Sequence, residues 1–423
     1  MKLWDELVWR GSIAQSTDEA ALKAELDKGG LSFYVGFDPT APSLHIGNLA
    51  ILVVMKRLQL AGHRPIPLVG GATGLVGDPS GRNQERTLNE ESVVAGWVER
   101  IRNQLAGFLD FEIGRNRAVL ANNLDWTAPL SALDFLRDIG KHFSVNQMLA
   151  KDSVSARLES GGISYTEFSY QVLQAFDYLE LFRREGCLLQ MGGSDQWGNV
   201  VAGVDLIRRV EGKSAHALTI PLIVKSDGTK FGKTASGSVW LDPTMTSPYA
   251  FFQFFLNTDD RDLVQLLKSY SFKSREELEA LFLEHESNPG ARKAHRSLAL
   301  EVTSYIHGEE TALRVEKASK ALFGQADLHE LDEKTLESAI SELPRVEISR
   351  SESLFWVDLM ARSGVVDSKS AARRVVKEGG AYLNNAKIGD ESAELTDADF
   401  LYGRIAVMRK GKRDLVAVIR SID

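Results

Sequence analysis

Short apolar runs alternate with helical patterns over the first half of the chain. Residues 31–37 and 65–70 have the length and composition of buried strands, and residues 48–61 between them have helical spacing. A strand at 186–191 and a helix at 200–210 repeat this order. Strands that alternate with helices predict βαβ units and a parallel sheet. The ligands of such α/β folds lie at the carboxyl ends of the strands.

The pattern changes twice further along the chain. Residues 248–323 show no strand pattern, and helical spacing within them, at 291–306 and 311–323, predicts an α-helical domain. Residues 324–350 are acidic and contain Pro344, which is typical of a linker. A small α+β domain is expected from residue 351, with helices predicted at 354–362 and 368–378 and strands at 381–388 and 404–419.

The composition is that of an ordinary soluble globular protein, with 43% apolar and 26% charged residues among 423. No apolar run approaches the roughly 20 residues that a membrane span needs. A single cysteine, Cys187, excludes an intrachain disulfide framework and fits a reducing cytosol. The N-terminal residues lack a signal-peptide pattern, so we expect a cytoplasmic protein.

The net charge of −8 argues against a protein coated in nucleic acid, although local basic patches remain compatible with it. Residues 351–423 hold 12 Lys and Arg against 11 Asp and Glu, whereas the rest of the chain holds 38 against 47. This small shift is what a separate RNA-contacting appendage would show.

The first candidate motif, from Asp38 through Thr40 to His45-Ile-Gly47-Asn48, joins a predicted strand to a predicted helix. Backbone N–H groups and the helix dipole face an anion at such a junction. The side chains of His45 and Asn48 can also donate hydrogen bonds to phosphate oxygens. Taken alone, a surface histidine near a helix cap is the more ordinary interpretation.

The second candidate motif is Lys230-Phe-Gly-Lys233-Thr234, in a polar loop with glycines at 228, 232 and 237. Two lysines and a threonine on such a loop can close over a developing pyrophosphate and stabilise its charge. Alone, the segment would be a solvated lysine turn, and it is the conjunction with His45 that favours a nucleotide site.

A third signal lies in the segment that starts at Thr166. Tyr170, Gln174 and Asp177 are spaced i, i+4 and i+7, which places them on one helical face. A polar stripe on a largely apolar helix either faces solvent or lines a buried polar pocket. In a pocket, Asp177 could accept a hydrogen bond from a phenol, and Gln174 with Tyr170 could hold an ammonium or a carboxylate.

Two glycine-rich segments follow predicted strands. Gly192-Gly193-Ser-Asp195-Gln196 lets a nucleotide approach the backbone closely and supplies an acidic group for ribose hydroxyls. Gly77-Asp78-Pro-Ser-Gly81-Arg82 could be a plain turn, but Asp78 would be well placed for an amino group.

Six motifs in order resemble those of bacterial tyrosyl-tRNA synthetases, and the resemblance covers essentially the whole chain. They are the segment from Tyr34 and Gly36 to Thr40, the motif at 45–48, the segment 77–81, the helix at 166–177, the segment 192–196 and the motif at 230–234. The motifs at 45–48 and 230–234 resemble the HIGH and KMSKS motifs of class I aminoacyl-tRNA synthetases. The first ends in Asn48 instead of histidine, and asparagine still donates a hydrogen bond.

The resemblance implies a Rossmann-like parallel-sheet catalytic domain, an α-helical anticodon-recognition domain and a small α+β RNA-binding domain. The catalytic domain, with a dimer-interface insertion, is expected at 1–223, and a mobile loop and connection at 224–247. The helical domain is expected at 248–323, a linker at 324–350 and the RNA-binding domain at 351–423. The implied reaction attaches L-tyrosine to tRNA(Tyr) through tyrosyl-adenylate, with release of pyrophosphate.

The resemblance also implies a role for each motif residue. Those for the substrate tyrosine are Tyr34 and Asp177 at the phenol hydroxyl, Asp78, Tyr170 and Gln174 at the α-amino group, and Gln196 near the carboxylate. Those for ATP are Gly36, Asp38, His45, Gly47, Gly192, Asp195 and Lys233. Those for catalysis are Thr40, His45, Asn48, Lys230, Lys233 and Thr234.

Expected partners are ATP with Mg²⁺, L-tyrosine, tRNA(Tyr) and a second copy of the chain, whose interface would involve residues 125–146. No tightly bound cofactor, protein cage of metal ligands or membrane contact is expected. The candidate RNA-binding residues are Lys369, Arg373, Arg374 and Lys377, with Arg292, Lys293 and Arg296 as further candidates.

Three other interpretations share some of these features. A tryptophanyl enzyme would have the same fold and loops, but Tyr34, Asp177 and the tail argue against it. A small nucleotidyltransferase would have no use for a helical domain and tail. A non-catalytic RNA-binding paralogue could have lost His45 or the lysines, and this chain retains them.

Overall fold

The computed structural model describes residues 2–80, 89–112, 114–151, 154–155, 157–158, 162–234, 237–349, 352, 355–411 and 414–421, with the side chain of Thr234 excepted. Gly81, Arg82 and Leu354, which belong to predicted motifs or elements, lie outside these residues. The chain forms two compact units, one made of Met1–Met245 with Asp259–Ala291 and the other of Thr246–Thr258 with Arg292–Asp423.

A six-stranded sheet in the order β1-β6-β5-β2-β3-β4 forms the centre of the first unit. Its strands are β1 Gln15–Ser16, β2 Ser32–Phe37, β3 Arg64–Val69, β4 Ala121–Asn122, β5 Cys187–Gly193 and β6 His216–Ile220. Neighbouring strands run parallel except for β1 and β6. The order of the strands reverses between β2 and β5, and such a reversal opens a crevice at the carboxyl ends of the strands.

Two prolines lie inside β3, where a missing N–H would normally break the sheet. The carbonyl of Pro65 accepts a hydrogen bond from the backbone N–H of Val119, on the side of β3 away from β2. A residue's N–H and C=O point to the same side of a strand, so Pro65 and Pro67 remove no bond from the β2-β3 ladder. The two-residue strand β4 joins β3 only at Leu68 and Val69. Two further short strands of the first unit, β7 Lys233–Thr234 and β8 Gly237–Ser238, pair antiparallel in a separate two-stranded sheet.

Helices cover the sheet and extend the first unit. They are Leu3–Trp9, Glu19–Lys28, Ile46–Leu60, Thr73–Val76, Glu91–Phe108, Leu124–Thr127, Ala132–Asp134 leading into a π-helix at Phe135–Ile139, Val145–Leu149, Tyr165–Glu185, Trp197–Glu211, Asp260–Tyr270 and Arg275–Ser287. The predicted α/β alternation is confirmed. The Ile46–Leu60 helix is apolar almost all round, as expected for a helix most of whose residues are buried.

The second unit begins with helices and ends with a five-stranded sheet. Its helices are Pro248–Leu256, Lys293–His307, Glu309–Leu322, Glu333–Ile340, Trp356–Arg362 and Lys369–Lys377. Its sheet has the order β11-β10-β12-β13-β9, from β9 Arg345–Ile348, β10 Ala381–Leu383, β11 Ala386–Lys387, β12 Ile405–Lys410 and β13 Asp414–Arg420.

The organisation differs from the sequence prediction in two places. The segment 324–350, predicted as a linker, contains the Glu333–Ile340 helix and β9, which pairs in parallel with β13. Only Val346 and Ile348 of this four-residue strand are buried. An alternation of two apolar residues is too short to predict a strand from the sequence. The helices Asp260–Tyr270 and Arg275–Ser287, inside the predicted helical domain, belong to the first unit. Among the described residues, no helix is both long and apolar enough to cross a bilayer.

Candidate active site

A cavity of about 930 Å³ opens at the carboxyl ends of β2, β3, β5 and β6. The tyrosine, ATP and catalytic candidates that line it are Tyr34, Gly36, Asp38, Thr40, His45, Gly47, Asn48, Asp78, Tyr170, Gln174, Asp177, Gly192, Asp195, Gln196, Lys230 and Lys233. The side chain of the remaining candidate, Thr234, lies outside the described residues. The fold therefore brings together residues that are far apart in the sequence.

Asp177 lies buried at one end of this cavity. Its Oδ1 accepts a hydrogen bond from Trp126 Nε1 at 2.8 Å, and its Oδ2 accepts one from Asn123 Nδ2 at 3.0 Å. Burial raises the pKa of Asp177 to about 7, while the two hydrogen bonds act in the opposite direction. A buried carboxylate of this kind gains from any further donor that enters the cavity.

Tyr34 provides a second polar group beside this carboxylate. Its side chain is 1% exposed and its ring packs against Tyr178, with ring centroids 5.3 Å apart. Within the part of the chain that the structure describes, no group bonds to the Tyr34 hydroxyl. Burial and the negative charge of Asp177 raise the pKa of that hydroxyl, so it remains a neutral donor. A buried hydroxyl without a partner is costly, and a ligand with a polar atom at this end would remove the cost.

A chain of hydrogen bonds joins Asp177 to Asp38. Asn123 Nδ2 donates both to Asp177 and to Thr73 Oγ1, the latter at 2.9 Å. Thr73 Oγ1 in turn donates to Asp38 Oδ1 at 2.7 Å. Asn123 is fully buried, and its side-chain oxygen accepts from the backbone N–H of Ala72. Sequence reasoning assigned no site role to Thr73, Asn123 or Trp126. Thr73 lies in a glycine-rich stretch, 70–74, that follows a predicted strand, and Trp126 lies inside the predicted interface 125–146.

Gly70 is required for this network. A Cβ at residue 70 would lie 2.2 Å from Asp38 Oδ1 and 2.4 Å from Thr73 Oγ1, which is far closer than atoms can approach. Any side chain at this position would therefore separate Asp38 from Thr73.

The three helix residues predicted to share a face do so. Tyr170 donates from its hydroxyl to Asp38 Oδ2 at 2.6 Å. The side-chain oxygen of Gln174 is buried and has no hydrogen-bond partner among the described residues. This orphaned acceptor lies on the same cavity wall as Tyr170 and Asp177. The wall is therefore suited to a ligand that carries hydrogen-bond donors.

Asp78 and Gln196 also line the cavity and bond to each other. Gln196 Nε2 donates to Asp78 Oδ2 at 2.7 Å, and the backbone N–H of Ser80 donates to Asp78 Oδ1 at 2.9 Å. Asn199 holds the Gln196 side chain by donating to its oxygen at 3.1 Å. Burial and the charge of Asp78 raise the pKa of nearby Asp195, while Lys230 acts in the opposite direction.

His45 lies immediately before the Ile46–Leu60 helix. Asn48 Oδ1 accepts a hydrogen bond from the backbone N–H of His45 at 3.1 Å and so caps this helix. A Cβ on Gly47 would lie 2.8 Å from His45 Cε1, so the imidazole position requires glycine there. Burial, and to a smaller extent the charge of Lys233, lower the pKa of His45, which keeps the imidazole neutral at pH 7.

The second motif lies in a hairpin formed by residues 223–233, here called the lysine loop. The N–H of Phe231 donates to the carbonyl of Ile223 at 2.9 Å, and the N–H of Lys225 donates to the carbonyl of Thr229 at 2.8 Å. Lys230 and Lys233 are exposed at the cavity rim. Two cations that border a cavity containing His45 suit a ligand with a polyanionic end.

The backbone joins the two signature motifs directly. The N–H of Ile46 donates to the carbonyl of Val239 at 3.0 Å, and the N–H of Leu241 donates to the carbonyl of Leu44 at 2.9 Å. Trp240 pairs with His45 between these bonds, with ring centroids 6.0 Å apart. The segment that follows the lysine loop therefore runs antiparallel to the first motif.

The candidate RNA-binding residues of the second unit are exposed along the Lys369–Lys377 helix. Lys369 pairs with Asp358 and Lys377 with Glu391, each at 3.0 Å. Exposed ion pairs contribute about 0–1 kcal/mol, so phosphate groups can compete for these cations. Arg292, by contrast, donates to the carbonyl of Leu256, and Arg296 pairs with Glu316 at 3.6 Å, so both engage the protein itself.

Comparison with known families agrees with this geometry. The family model of tRNA synthetases class I (W and Y) matches residues 26–324, and the model of the tyrosine--tRNA ligase SYY-like C-terminal domain matches residues 335–418. The fold is that of a class I aminoacyl-tRNA synthetase of the tyrosine and tryptophan group.

Relatives at high identity narrow this class. Tyrosine--tRNA ligases from Streptomyces coelicolor and Streptomyces avermitilis are 60% and 59% identical over 416 residues, with 98% of each chain covered. A C-terminally truncated mitochondrial tyrosyl-tRNA synthetase from Aspergillus nidulans is similar in structure, with a TM-score of 0.69, 31% identity and coverage of 75% of this chain and 93% of that one. The chain belongs to the tyrosine--tRNA ligase family, whose members use ATP to attach tyrosine to tRNA.

Proposed function

We propose that Tyr34 and Asp177 recognise the phenol hydroxyl of the substrate tyrosine. The observation that carries this proposal is the buried Tyr34 hydroxyl, which lacks a partner among the described residues and borders the same cavity as Asp177. A substrate phenol would donate to the Asp177 carboxylate and accept from Tyr34. Phenylalanine would leave both groups buried without that partner, so the site would select against it.

The α-amino group of tyrosine is assigned to Tyr170, Gln174 and Asp78. An ammonium group offers three donors, and the orphaned oxygen of Gln174 is an acceptor that needs one. Asp78 supplies a negative charge, and Gln196, which is already bonded to Asp78, would lie near the substrate carboxylate. The amino acid would then lie along the cavity with its carboxylate toward His45.

The nucleotide is assigned to the part of the cavity between the two signature motifs. Asp38, Gly192 and Asp195 would bind the nucleoside, and Gly36 and Gly47 would let it approach the backbone. Thr40, His45 and Asn48 would act on the reacting phosphate. Lys230, Lys233 and Thr234 would act on the pyrophosphate, with Mg²⁺ arriving as part of the ATP substrate.

The chemistry then requires no protein nucleophile or strong base. The tyrosine carboxylate attacks the α-phosphorus of ATP, and the bond from that phosphorus to pyrophosphate breaks as the new one forms. A hydroxyl of the terminal ribose of tRNA(Tyr) next attacks the carbonyl carbon, and AMP leaves. The protein contributes position and charge, in agreement with a neutral His45 and two cationic lysines.

Binding measured without turnover tests the tyrosine assignment. Asp177→Asn keeps the shape of the side chain but removes its charge, so we expect tyrosine affinity to fall about tenfold or more and ATP affinity to stay within about twofold. Glu185→Gln, at the C-terminal end of the same helix and paired with Arg64 at 2.7 Å, is the matched control. Equal losses for tyrosine and ATP in Asp177→Asn would contradict the assigned role.

We also propose that the chain works as a homodimer in the cytoplasm. Within the predicted interface 125–146, Leu133 is 79% exposed, and Leu136 and Val145 are more than half exposed. Apolar side chains that are exposed together mark protein interfaces. The lone cysteine, Cys187, is buried and unpaired, which fits a reducing compartment.

The contacts with tRNA are proposed to include the Lys369–Lys377 helix. Its candidates Lys369, Arg373, Arg374 and Lys377 are all exposed, and Arg373 and Arg374 are consecutive in the helix. Guanidinium groups in such a position can pair with backbone phosphates.

A further inference from the structure

The Asp260–Tyr270 helix contacts both signature motifs, although it belongs to neither. Its N-terminal turn reaches the tip of the lysine loop. Its C-terminal residue reaches the helix that begins at Ile46. All of these residues lie in the first compact unit.

The first contact is made by Asp262, whose side chain is 6% exposed. Its Oδ1 accepts a hydrogen bond from the backbone N–H of Ser226 at 2.7 Å. Ser226 lies at the turn of the lysine loop, between Lys225 and Gly228, where the chain reverses. A carboxylate that accepts a backbone N–H makes a charge-assisted bond, which is among the stronger hydrogen bonds in proteins.

The second contact is made by Tyr270, which is fully buried. Its hydroxyl donates to the carbonyl of Ile46 at 3.3 Å, and its ring lies 6.0 Å from the ring of Phe231 between centroids. Phe231 stands between the lysines of the second motif, and Ile46 follows His45. Tyr270 therefore touches the two motifs at the point where they approach each other.

Two arginines hold the C-terminal end of this helix. Arg10 donates to the carbonyls of Lys268 and Ser271, each at 3.0 Å, and Arg57 donates to the same two carbonyls at 3.1 and 2.6 Å. Cations at a helix C-terminus complement its dipole. Arg57 lies on the Ile46–Leu60 helix, so the Asp260–Tyr270 helix is attached to the element that begins with the first motif.

We propose that Asp262 and Tyr270 are positioning residues for adenylate formation, which fix the lysine loop relative to His45. Asp262 holds the tip of the loop and Tyr270 holds its base against Ile46. This proposal rests on the proposed roles of Lys230 and Lys233, since the two residues act on the reaction only through them. The tyrosine end of the cavity is formed by other elements and is not affected.

The main test is the rate of tyrosyl-adenylate formation in single turnover. Asp262→Ala should lower this rate about tenfold, as expected for the loss of one charge-assisted hydrogen bond, while the tyrosine dissociation constant changes less than about twofold. Asp262→Asn retains an oxygen that accepts from Ser226, so it should recover most of the rate. Tyr270→Phe should cause a smaller loss, because it removes the hydroxyl that makes the long bond to Ile46 but keeps the ring beside Phe231.

A matched control separates positioning from helix stability. Asp259 caps the same helix by accepting from the N–H of Arg261 at 2.9 Å. Asp259→Ala should lower the melting temperature but leave the rate of adenylate formation within about twofold. An equal loss of rate in Asp259→Ala and Asp262→Ala would show that helix stability alone matters and would overturn the proposal.

Combination with lysine variants completes the test. Asp262→Ala should slow the otherwise unchanged enzyme about tenfold but the Lys230→Ala/Lys233→Ala enzyme by less than about twofold, because coupled residues are non-additive. Equal slowing in both backgrounds would overturn the positioning role. A lysine double variant with an unchanged rate would instead overturn the proposed roles of the lysines, so the two failures can be told apart.

Discussion

The indole Nε1 of Trp126 donates a 2.8 Å hydrogen bond to Oδ1 of Asp177, inside a cavity where the pKa of that carboxyl is raised by burial. The bond stabilises the ionised form and so opposes the effect of burial. Asn123 contributes a second bond from the other side. The balance leaves Asp177 with a pKa of about 7, so the carboxyl titrates near neutral pH. Small changes around this carboxylate should therefore alter the recognition of tyrosine.

Tyrosine affinity should depend on pH through Asp177. An unfolded aspartate has a pKa of about 3.9, whereas that of Asp177 is raised to about 7 in the folded, tyrosine-free protein. The stability that this group contributes is therefore largest below pH 4 and falls as the pH rises to 7. The phenol needs the ionised form, so tyrosine affinity should fall up to tenfold per pH unit below pH 7. Calorimetric titration without ATP measures this, and a flat profile would contradict the assignment.

The control for that profile is Asp177→Asn, which has no group to titrate and should bind tyrosine weakly at every pH from 5 to 8. His45 and Asp195, which line the same cavity, still titrate in this variant, so the difference between the two profiles isolates the contribution of Asp177.

Trp126→Phe should move the same pH profile. Phenylalanine keeps an aromatic ring in the core but cannot donate to Asp177, so the pKa of Asp177 should rise further, by about one unit. The midpoint of tyrosine binding should then shift by about one unit to higher pH. A lower melting temperature with an unchanged midpoint would show that Trp126 contributes only to packing.

Tyr34→Phe should affect stability and selectivity in opposite directions. It removes a buried hydroxyl that has no partner among the described residues, so the free energy of unfolding of the tyrosine-free protein should rise by up to about 1 kcal/mol. Discrimination between tyrosine and phenylalanine should fall at the same time. Thermal unfolding and pyrophosphate exchange measure the two effects. A destabilised variant with unchanged selectivity would place the phenol elsewhere.

Removal of Arg373 and Arg374 should affect tRNA but not tyrosine activation. The double alanine variant should bind tRNA(Tyr) more weakly, and the dependence of log affinity on log salt should become shallower by about one for each lost phosphate contact. Lys317→Ala, whose ammonium pairs with Glu330 at 3.0 Å, is a control from the same unit. Filter binding at several salt concentrations tests this, and equal effects of the two variants would contradict a specific role for the helix.

The sequence was sufficient to predict the α/β alternation and the convergence of the motif residues on one cavity. This worked because β2, β3 and β5 are buried and well patterned, and the carboxyl ends of parallel strands meet at one edge. The i, i+4, i+7 spacing similarly placed Tyr170, Gln174 and Asp177 on one wall, because a helix has a fixed period.

Other parts of the site could not be predicted in this way. Asn123 follows a two-residue strand, and Thr73 starts a four-residue helix, so neither lies in a segment long enough to show a period. The hydrogen bond to Asp262 comes from the backbone N–H of Ser226. Nearly every residue type has such a group, so the sequence gives no sign of this bond. The strands β4 and β9, of two and four residues, are likewise too short for the sequence pattern to predict them.

The most direct test of the account is amino-acid-dependent exchange of pyrophosphate into ATP, with tyrosine, tryptophan and phenylalanine in parallel. If Tyr34 and Asp177 recognise a phenol hydroxyl, exchange should occur with tyrosine alone. Exchange with phenylalanine at a rate comparable to that with tyrosine would contradict the central claim, because phenylalanine has no group to satisfy the two buried side chains.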